Sequence, residues 1–427
     1  MLESLPRLLR DFQPAAGVIK ADYEDFVVEE IPLYPADGQG SHTYFLLEKV
    51  GLSTAQATHD IARALNVRRH EIGFAGQKDA RAVTRQWMSV EHIDPAIVKA
   101  LVLPRLTVLD ATRHHNKLRL GHLKGNRFVI KIRQTEPDRL PELQVALDEL
   151  VRRGVPNYFG PQRFGYRGDT WQIGRALLRG DLDEALNHML GCPTAADVGD
   201  IRRARERFDC GDYATAARAW PRMFHTERRV LQALAHSQGN RRRGLGAVER
   251  TTRYFYASAY QSLLFNRVVA ARLEYGLDHL LPGDLAWLHT SGAVFRVDDA
   301  AHEQPRADCF EVSPSGPLFG YRMTEPTGRP ADIEAAVLAV EELSPHLFRG
   351  GPLRIKGSRR PLRFPVHDAV IRLGADQRGA YLDLRFLLLR GCYATVLLRE
   401  LFGEAGEAAG FAEWNATEDS AGPDIQA

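Results

Sequence analysis

The spacing of apolar residues predicts strands near both ends of the chain. In the segment EDFVVEEIP, Phe26 and Val28 alternate with Val27 and Glu29 until Pro32 ends the run, as in an extended strand. The same pattern predicts strands in SHTYFLLEKVG, TRQWMSV, RFVIKIR, AVIRL and YLDLRFLLL. Between the second and third of these strands, Ser53 and Gln56 form a capping box that predicts the start of a helix.

Helical spacing dominates the middle of the chain. A stretch from 140 to 153 ends at Gly154, and shorter helices are predicted at 170–178, 182–190, 214–220 and 226–235. RYFYASAYQSLLFNRVVAARL predicts a long helix. VPNYFGPQRFGYRGD and GPLRIKGSRRPLRFP are rich in turn residues and bracket this helical part as two junctions. The economical architecture is a mixed α+β domain built from both chain ends, with the helical middle inserted.

The composition is that of a globular protein with more than one domain. The chain has 427 residues, 44% of them apolar, which is enough to bury two cores. No apolar run approaches the roughly 20 residues of a membrane helix, and the first residues do not resemble a secretory signal. We therefore expect a cytoplasmic protein without a membrane partner. Four scattered cysteines without a CxxC pair are expected to be reduced and mostly buried.

The net charge of +2 conceals an uneven distribution. Residues 403–427 contain six acidic residues and no Lys or Arg, so the rest of the chain carries +8. Most of the cations are arginines, whose flat guanidinium suits phosphate, and a polyanionic partner is one interpretation. Solvated charged faces are the alternative. The acidic tail itself is expected to be disordered.

Two patterns that could hold a metal or cofactor are rejected. His114, His115 and His122 have no carboxylate or thiolate companion at ligand spacing. The run RRRGLG from Arg241 follows no strand and lacks the third glycine of a dinucleotide loop. The residues therefore predict neither a metal site nor a nucleotide cofactor.

The segment GFAGQKDARAVTRQWMSV places one carboxylate among cations. Gly73 and Gly76 are expected to adopt backbone angles closed to other residues and to bring Asp79 close to a bound group. Lys78 and Arg81 flank the acid. One interpretation is that Asp79 reacts with a ligand, and the other is that it caps a turn or balances a neighbouring cation.

The strand RFVIKIR has an apolar face and a basic face. Phe128 and Ile130 share one face, and Arg127, Lys131 and Arg133 share the other. The basic face either is solvated or follows a phosphate backbone, and the pattern does not decide between the two.

Four stretches occur in the order of a known family's signatures: FAGQKDARAVTRQ, GHLKGNRF, VPNYFGPQRFG and GCYATVLLREL. With EDFVVEE and AYQSLLFN also in place, the chain resembles the TruD family of tRNA pseudouridine synthases over nearly its whole length. Residues 194–249 match least. The resemblance implies an α+β, pseudouridine synthase-like fold with a mixed, mainly antiparallel sheet, flanking helices and a largely helical inserted TRUD domain. The implied boundaries are 1–155 and 359–402 for the catalytic domain, 156–358 for the insertion and 403–427 for the tail.

The resemblance implies that a uridine of tRNA, typically uridine-13, is isomerised to pseudouridine. It implies no cofactor, no metal and no obligatory protein partner. Asp79 would be the essential carboxylate, attacking the sugar C1′ or removing a sugar proton. The positions that match the substrate pocket are Lys20, Glu24, Phe26, Asn126, Phe128 and Tyr393, the last being a departure because phenylalanine is common there. Cations expected to contact the RNA backbone are Lys78, Arg81, Arg85, Arg127, Arg163 and Arg360.

Elementary chemistry fits these roles. Extruding a base costs a few kcal/mol, and stacking it on an aromatic ring returns roughly 1 to 3 kcal/mol. The Asn126 amide offers donors and acceptors to a uracil edge, and a neighbouring cation would lower the pKa of Asp79. Two rival hypotheses are an RNA-binding module that needs no Asp79 and an RNA methyltransferase. The sequence does not favour the methyltransferase, because it contains no strand followed by a glycine-rich cofactor loop.

Overall fold

The computed structural model describes residues 5–343, 347–350 and 353–403. These residues form two compact units, one built from Leu9–Val155 with 365–403 and the other from 5–8 with 156–364. The chain thus leaves the first unit after Val155 and returns to it at Pro365. Whether these units match the implied domain boundaries stays a prediction. The predicted disordered tail, 404–427, lies outside the described residues.

An eight-stranded sheet forms the centre of the first unit. Its strands are β1 (Phe26–Pro32), β2 (His42–Val50), β3 (Gly73–Phe74), β4 (Val83–Glu91), β5 (Leu106–His114), β6 (Leu123–Ile132), β7 (His367–Asp376) and β8 (Gly379–Leu389). They are ordered β7-β8-β6-β1-β4-β2-β5, with β3 paired to β4. β1 and β4 run parallel, and the neighbouring pairs elsewhere run antiparallel. The implied mixed, mainly antiparallel sheet is confirmed.

Helices flank this sheet. They are Thr54–Ala64, Pro95–Lys99, Leu140–Arg153 and Ala394–Phe402, with short 3-10 turns at Tyr23–Asp25, Arg69–Glu71 and Pro137–Arg139. The predicted start of the first helix is confirmed, because the Ser53 side chain accepts from the backbone N–H of Gln56 at 3.1 Å. Ile61 of this helix belongs to one buried hydrophobic cluster with Leu47 and Met88 of the sheet.

Strand register decides which side chains share the face of the sheet that this helix covers. Phe128 on β6 lies opposite Val28 on β1, and Val28 lies opposite Thr84 on β4. Thr84 in turn lies opposite Lys49 on β2. Since side chains alternate along a strand, Phe26 and Glu30 belong to the same face, and we call it the helix-covered face.

The second unit is largely helical. Its helices are Thr170–Arg179, Leu182–Leu190, Gly199–Asp209, Tyr213–Ala219, His225–His236, Arg241–Gly246, Arg250–Arg272, Ala300–Asp308, Gly328–Val340 and Leu347–Gly350, with 3-10 turns at Pro161–Phe164 and Leu273–Tyr275. Strands Leu285–Leu288, Val294–Arg296, Val312–Leu318 and Ser358–Pro361 form one small sheet. Two-residue strands, Val155–Pro156 and Arg363–Phe364, lie where the chain passes between units.

Some expectations from the sequence were wrong or incomplete. β5 was not predicted, and neither were the helices Gly199–Asp209 and Ala300–Asp308. The junction from Gly351 contains the strand Ser358–Pro361, although its composition indicated turns alone. The cysteines were expected to be mostly buried, but Cys192, Cys210 and Cys309 are exposed and Cys392 is half-buried.

Candidate active site

Asp79 lies in the loop that joins β3 to β4. The Lys20 ammonium is 2.8 Å from Asp79 Oδ2 and forms an ion pair with it. Lys20 has a φ of 56°, a backbone conformation uncommon for residues other than glycine. Its side chain is almost completely buried, whereas the Asp79 side chain is 35% exposed. The acid is thus anchored by one oxygen and still reachable from solvent.

A second lysine fixes the backbone of the loop. Lys49, from β2, donates from its ammonium to the carbonyl oxygen of Asp79 at 2.8 Å. The backbone N–H of Lys78 donates to Thr54 Oγ1 at 2.9 Å, and that hydroxyl donates to Gln86 Oε1 at 3.0 Å. These bonds tie the loop to β2, to β4 and to the first helix, so the position of Asp79 is held by long-range contacts.

The two glycines of the loop do not have the special backbone angles that the sequence predicted for them. Neither Gly73 nor Gly76 has a positive φ, so their backbone angles are open to other residues. A Cβ on Gly73 would instead clash with the carbonyl oxygen of Leu118, and one on Gly76 would lie 3.2 Å from Lys78 Nζ. Gly73 is therefore required for close packing of the loop against its neighbour, whereas a side chain at Gly76 would ask only a small shift of Lys78.

Lysine charges keep Asp79 ionised. Burial acts to raise the pKa of this carboxyl, but the charge and hydrogen bond of Lys20 and the charges of Lys49 and Lys78 lower it by more. The pKa of Asp79 therefore lies below its ordinary value. An aspartate that is ionised and half-accessible at neutral pH is suited to act as a nucleophile or as a base.

Lys78 is paired inside the protein. Its ammonium is 2.7 Å from Glu30 Oε2, with the Lys78 side chain 5% exposed and the Glu30 side chain fully buried. The other oxygen of Glu30 accepts from the backbone N–H of Trp87 at 3.2 Å. This placement does not favour the predicted phosphate contact of Lys78, although it brings the cation close enough to act on Asp79.

Aromatic rings lie on the helix-covered face near Lys20. The ammonium of Lys20 is 4.3 Å from the centre of the Phe26 ring. Phe26 meets Phe128 edge to face at 6.2 Å, and Phe128 stacks on Phe386 at 5.0 Å. Phe26 and Phe128 are 4% and 8% exposed, so both rings are also core residues.

Asn126 projects from the same face of β6 as Phe128. It lies opposite Glu30 on β1 and Leu388 on β8. Its Oδ1 is buried and has no hydrogen-bond partner among the described residues. Leaving such an atom unpaired costs roughly 1 to 3 kcal/mol, so Asn126 is a good candidate to bind a polar ligand edge.

Two predicted pocket residues lie at the ends of elements. Glu24 is exposed in the turn Tyr23–Asp25 just before β1. Tyr393 is half-buried and immediately precedes the helix Ala394–Phe402. No recorded contact joins either of them to Asp79 among the described residues, and their pocket roles stay predictions.

The predicted backbone-binding arginines of the first unit differ in how they are held. Arg85 pairs with Glu48 at 2.9 Å and Arg127 approaches Glu29 at 3.9 Å, both on the face of the sheet opposite Lys49 and Glu30. Arg81 is half-buried and makes no recorded ion pair within the described ranges. Among these three arginines, Arg81 is therefore nearest to Asp79 in sequence and least neutralised.

The basic face of β6 is largely neutralised by acids. Arg133 is buried and binds both Asp25 and Asp376, at 2.6 and 2.8 Å. Lys131 also pairs with Asp376, at 2.8 Å. This cluster contributes to stability, and it favours a structural role over a phosphate-following one for these two cations.

The two remaining predicted arginines lie in the second unit around one ring. The guanidinium of Arg360 is 4.2 Å from the centre of Phe159 and donates to Asn157 Oδ1 at 2.5 Å. Arg163 lies 5.8 Å from the same ring and donates to Ser258 Oγ at 2.7 Å. Both are half-buried, and their RNA contacts stay predictions.

Several site residues were not identified from the sequence. Lys49 and Glu30 occupy buried positions in strands, and Thr54 was seen only as part of a helix start. A signal existed for Lys49, because Phe45 and Leu47 predict a buried side chain two residues further on.

In the part of the chain that the structure describes, no cluster of His, Cys, Asp and Glu could hold a metal, and no helix is long and apolar enough to cross a membrane.

Comparison with known proteins decides the family. The family model described as tRNA pseudouridine synthase D (TruD) matches residues 6–401. The chain belongs to the TruD family of tRNA pseudouridine synthases. It is similar to tRNA pseudouridine synthase D of Geobacter sulfurreducens, with 44% identity over 94% of this chain and 98% of the relative. With that of Geobacter metallireducens it shares 46% identity over 90% of this chain and 94% of the relative.

A solved structure of the TruD family agrees with the fold. The crystal structure from Methanosarcina mazei, of a protein assigned as tRNA pseudouridine synthase D, has a TM-score of 0.79 with this chain at 26% identity. The match covers 92% of this chain and 94% of the other. The implied fold and the membership in this enzyme family are therefore confirmed.

Proposed function

We propose that the protein converts uridine-13 of tRNA to pseudouridine, with Asp79 as the catalytic carboxylate. The observation that carries this proposal is the half-exposed, ionised Asp79, held at one oxygen by Lys20 beside Phe26. Uridine-13 is the position that the family resemblance implies. Acting on tRNA, the protein is expected to work in the cytoplasm, and residues 156–358 are expected to form the inserted TRUD domain.

The reaction moves one glycosidic bond from N1 to C5 of the same uracil. The C1′–N1 bond breaks, its electron pair goes to the uracil, and C5 then bonds to C1′; C5 loses its proton and N1 gains one. Asp79 acts by one of two routes: its oxygen bonds to C1′ until C5 displaces it, or it removes and later returns a sugar proton. Asp79 Oδ1 accepts no recorded hydrogen bond from the described residues, so that oxygen suits either route.

The pocket must hold the uracil while it is detached. The rings of Phe26 and Phe128 provide an apolar surface, and stacking an extruded base is worth roughly 1 to 3 kcal/mol. The unpaired Oδ1 of Asn126 can accept from the N3–H of uracil. Lys20, Glu24 and Tyr393 complete the proposed pocket.

The experiment uses the purified chain with no added cofactor and two tRNA transcripts that differ only at position 13. We expect pseudouridine in nuclease digests of the transcript with uridine-13 and none in the transcript with cytidine-13. Pseudouridine in both transcripts would show that the proposed modification site, position 13, is wrong. If the reaction needs an added cofactor, or if neither transcript gives product, the proposed isomerase activity is contradicted.

A further inference from the structure

Carboxylates neutralise many arginines of the second unit. The pairs are Arg175–Glu184, Arg267–Glu341, Arg272–Asp284, Arg306–Glu311 and Arg359–Glu334. A cation that is already paired must give up its partner before it can bind an external anion. The cations available to an anionic partner are therefore those without acids.

Arg250, Arg354 and Lys356 are exposed cations of this unit that form no ion pair with an acid among the described residues. Arg250 donates to the neutral hydroxyl of Tyr254 at 3.3 Å. The sequence contains no Asp or Glu from 343 to 367, so no acid of that segment can neutralise Arg354 or Lys356.

Contacts join these cations into one surface. The guanidinium of Arg250 lies 5.4 Å from the ring centre of Tyr254, whose hydroxyl donates to the carbonyl oxygen of Arg354 at 3.3 Å. The guanidinium of Arg354 lies 4.8 Å from the ring centre of Tyr321. Lys356 lies two residues after Arg354, and both are exposed while Leu353, Ile355 and Gly357 between and beside them are buried. We call Arg250, Tyr254, Tyr321, Arg354 and Lys356 the arginine–tyrosine surface.

We propose that the arginine–tyrosine surface binds the sugar-phosphate backbone of the tRNA substrate, at nucleotides other than the uridine that reacts. This inference rests on the proposed function, because it takes tRNA as the polyanion. A guanidinium can bind a phosphate through its edge while its flat face stays on a tyrosine ring. The face of a tyrosine ring that the guanidinium leaves uncovered can also accept a stacked base, and cations beside aromatic rings are typical of single-stranded RNA contacts.

The test measures binding of end-labelled tRNA to the full chain by fluorescence anisotropy at several salt concentrations, so turnover is not read. The variant carries Arg250→Gln, Arg354→Gln and Lys356→Gln. We expect affinity on the order of a hundredfold weaker near 0.1 M salt, and a log–log salt slope reduced by about 2, because each lost phosphate contact removes roughly 0.7 to 0.9. Tyr254→Leu should weaken binding several-fold and leave the slope unchanged.

The matched control carries Arg152→Gln, Arg229→Gln and Arg306→Gln, which removes the same charge from exposed or half-buried arginines that are paired with acids. We expect the control to bind within about threefold of wild type, since paired surface cations contribute little. Equal weakening of binding in both triple variants would show that only net charge matters. That result would contradict the proposed RNA contact of the arginine–tyrosine surface. Unchanged binding in the test variant would also contradict this proposal. If wild type binds tRNA but makes no pseudouridine, the proposed function fails while the surface stands.

Discussion

Replacing Lys78 by Met should strongly destabilise the first unit, because it leaves Glu30 as an unpaired buried charge. The Glu30 side chain is fully buried, and its ion pair with Lys78 spans 2.7 Å. Removing one partner of a buried pair typically costs about 3 to 5 kcal/mol. That is a large part of the roughly 5 to 15 kcal/mol that stabilises an ordinary domain.

The stability that Lys78→Met loses should depend on pH, and the direction of this dependence follows from the pKa of Glu30. Burial raises the pKa of Glu30 above its ordinary value, and the charge of Lys78 opposes that rise. Without Lys78 the folded-state pKa rises further. A carboxyl whose pKa is higher in the folded than in the unfolded state loses stability as pH rises from the unfolded to the folded pKa. The deficit of Lys78→Met should therefore be larger at pH 8 than at pH 5.

The assay is urea unfolding followed by circular dichroism at both pH values. The matched control is the double variant Glu30→Gln with Lys78→Met, in which the amide oxygen can still accept from the backbone N–H of Trp87. We expect the double variant to recover most of the stability and to lose the pH dependence. A deficit in Lys78→Met below about 1 kcal/mol, or one that is equal at both pH values and in the double variant, would show that an unpaired Glu30 charge does not destabilise the protein.

Three further predictions concern the proposed pocket and the tail. Lys20→Met should raise the pKa of Asp79, because burial then acts against fewer cations, so the acid limb of the single-turnover pH profile should move to higher pH. Asn126→Ala should lower the single-turnover rate at nearly unchanged melting temperature. Phe128→Ala should lose activity and also about 3 to 5 kcal/mol of stability in urea unfolding, since its ring is buried. Removal of residues 420–427 should leave turnover intact, and tRNA affinity equal or slightly higher.

Local patterns predicted much of the fold. The helix from Leu140 to Arg153 has its predicted bounds, and the strand that follows Asp79 was identified from TRQWMSV. β5 was missed because it is an edge strand with a register shift against β2, which breaks the alternation of apolar residues. The helix Gly199–Asp209 was missed because a buried arginine, Arg205, interrupts its apolar face and pairs with Asp197 at 3.0 Å.

The sequence identified Asp79 but only part of its surroundings. The cation next to it in sequence is Lys78, yet the ammonium that touches its carboxylate comes from Lys20, 59 residues earlier. Lys49 reaches the same loop from β2. Such partners are set by strand register and loop packing, which no local pattern contains. The unpaired oxygen of Asn126 is likewise visible only when its neighbours are known.

The single substitution Asp79→Asn tests whether this carboxylate is catalytic. The variant has nearly the same size but lacks the charge that either catalytic route requires. Excess enzyme is mixed with tRNA carrying tritium at C5 of uridine, so that each new C5–C1′ bond releases tritium to water. Asp148→Asn, at an exposed helix position, controls for loss of one negative charge.

We predict that Asp79→Asn releases no tritium above background, while its tRNA affinity and melting temperature stay close to those of wild type and Asp148→Asn releases tritium normally. Substantial release by Asp79→Asn, in protein shown by mass spectrometry to be free of Asp at position 79, would contradict the catalytic role of this carboxylate.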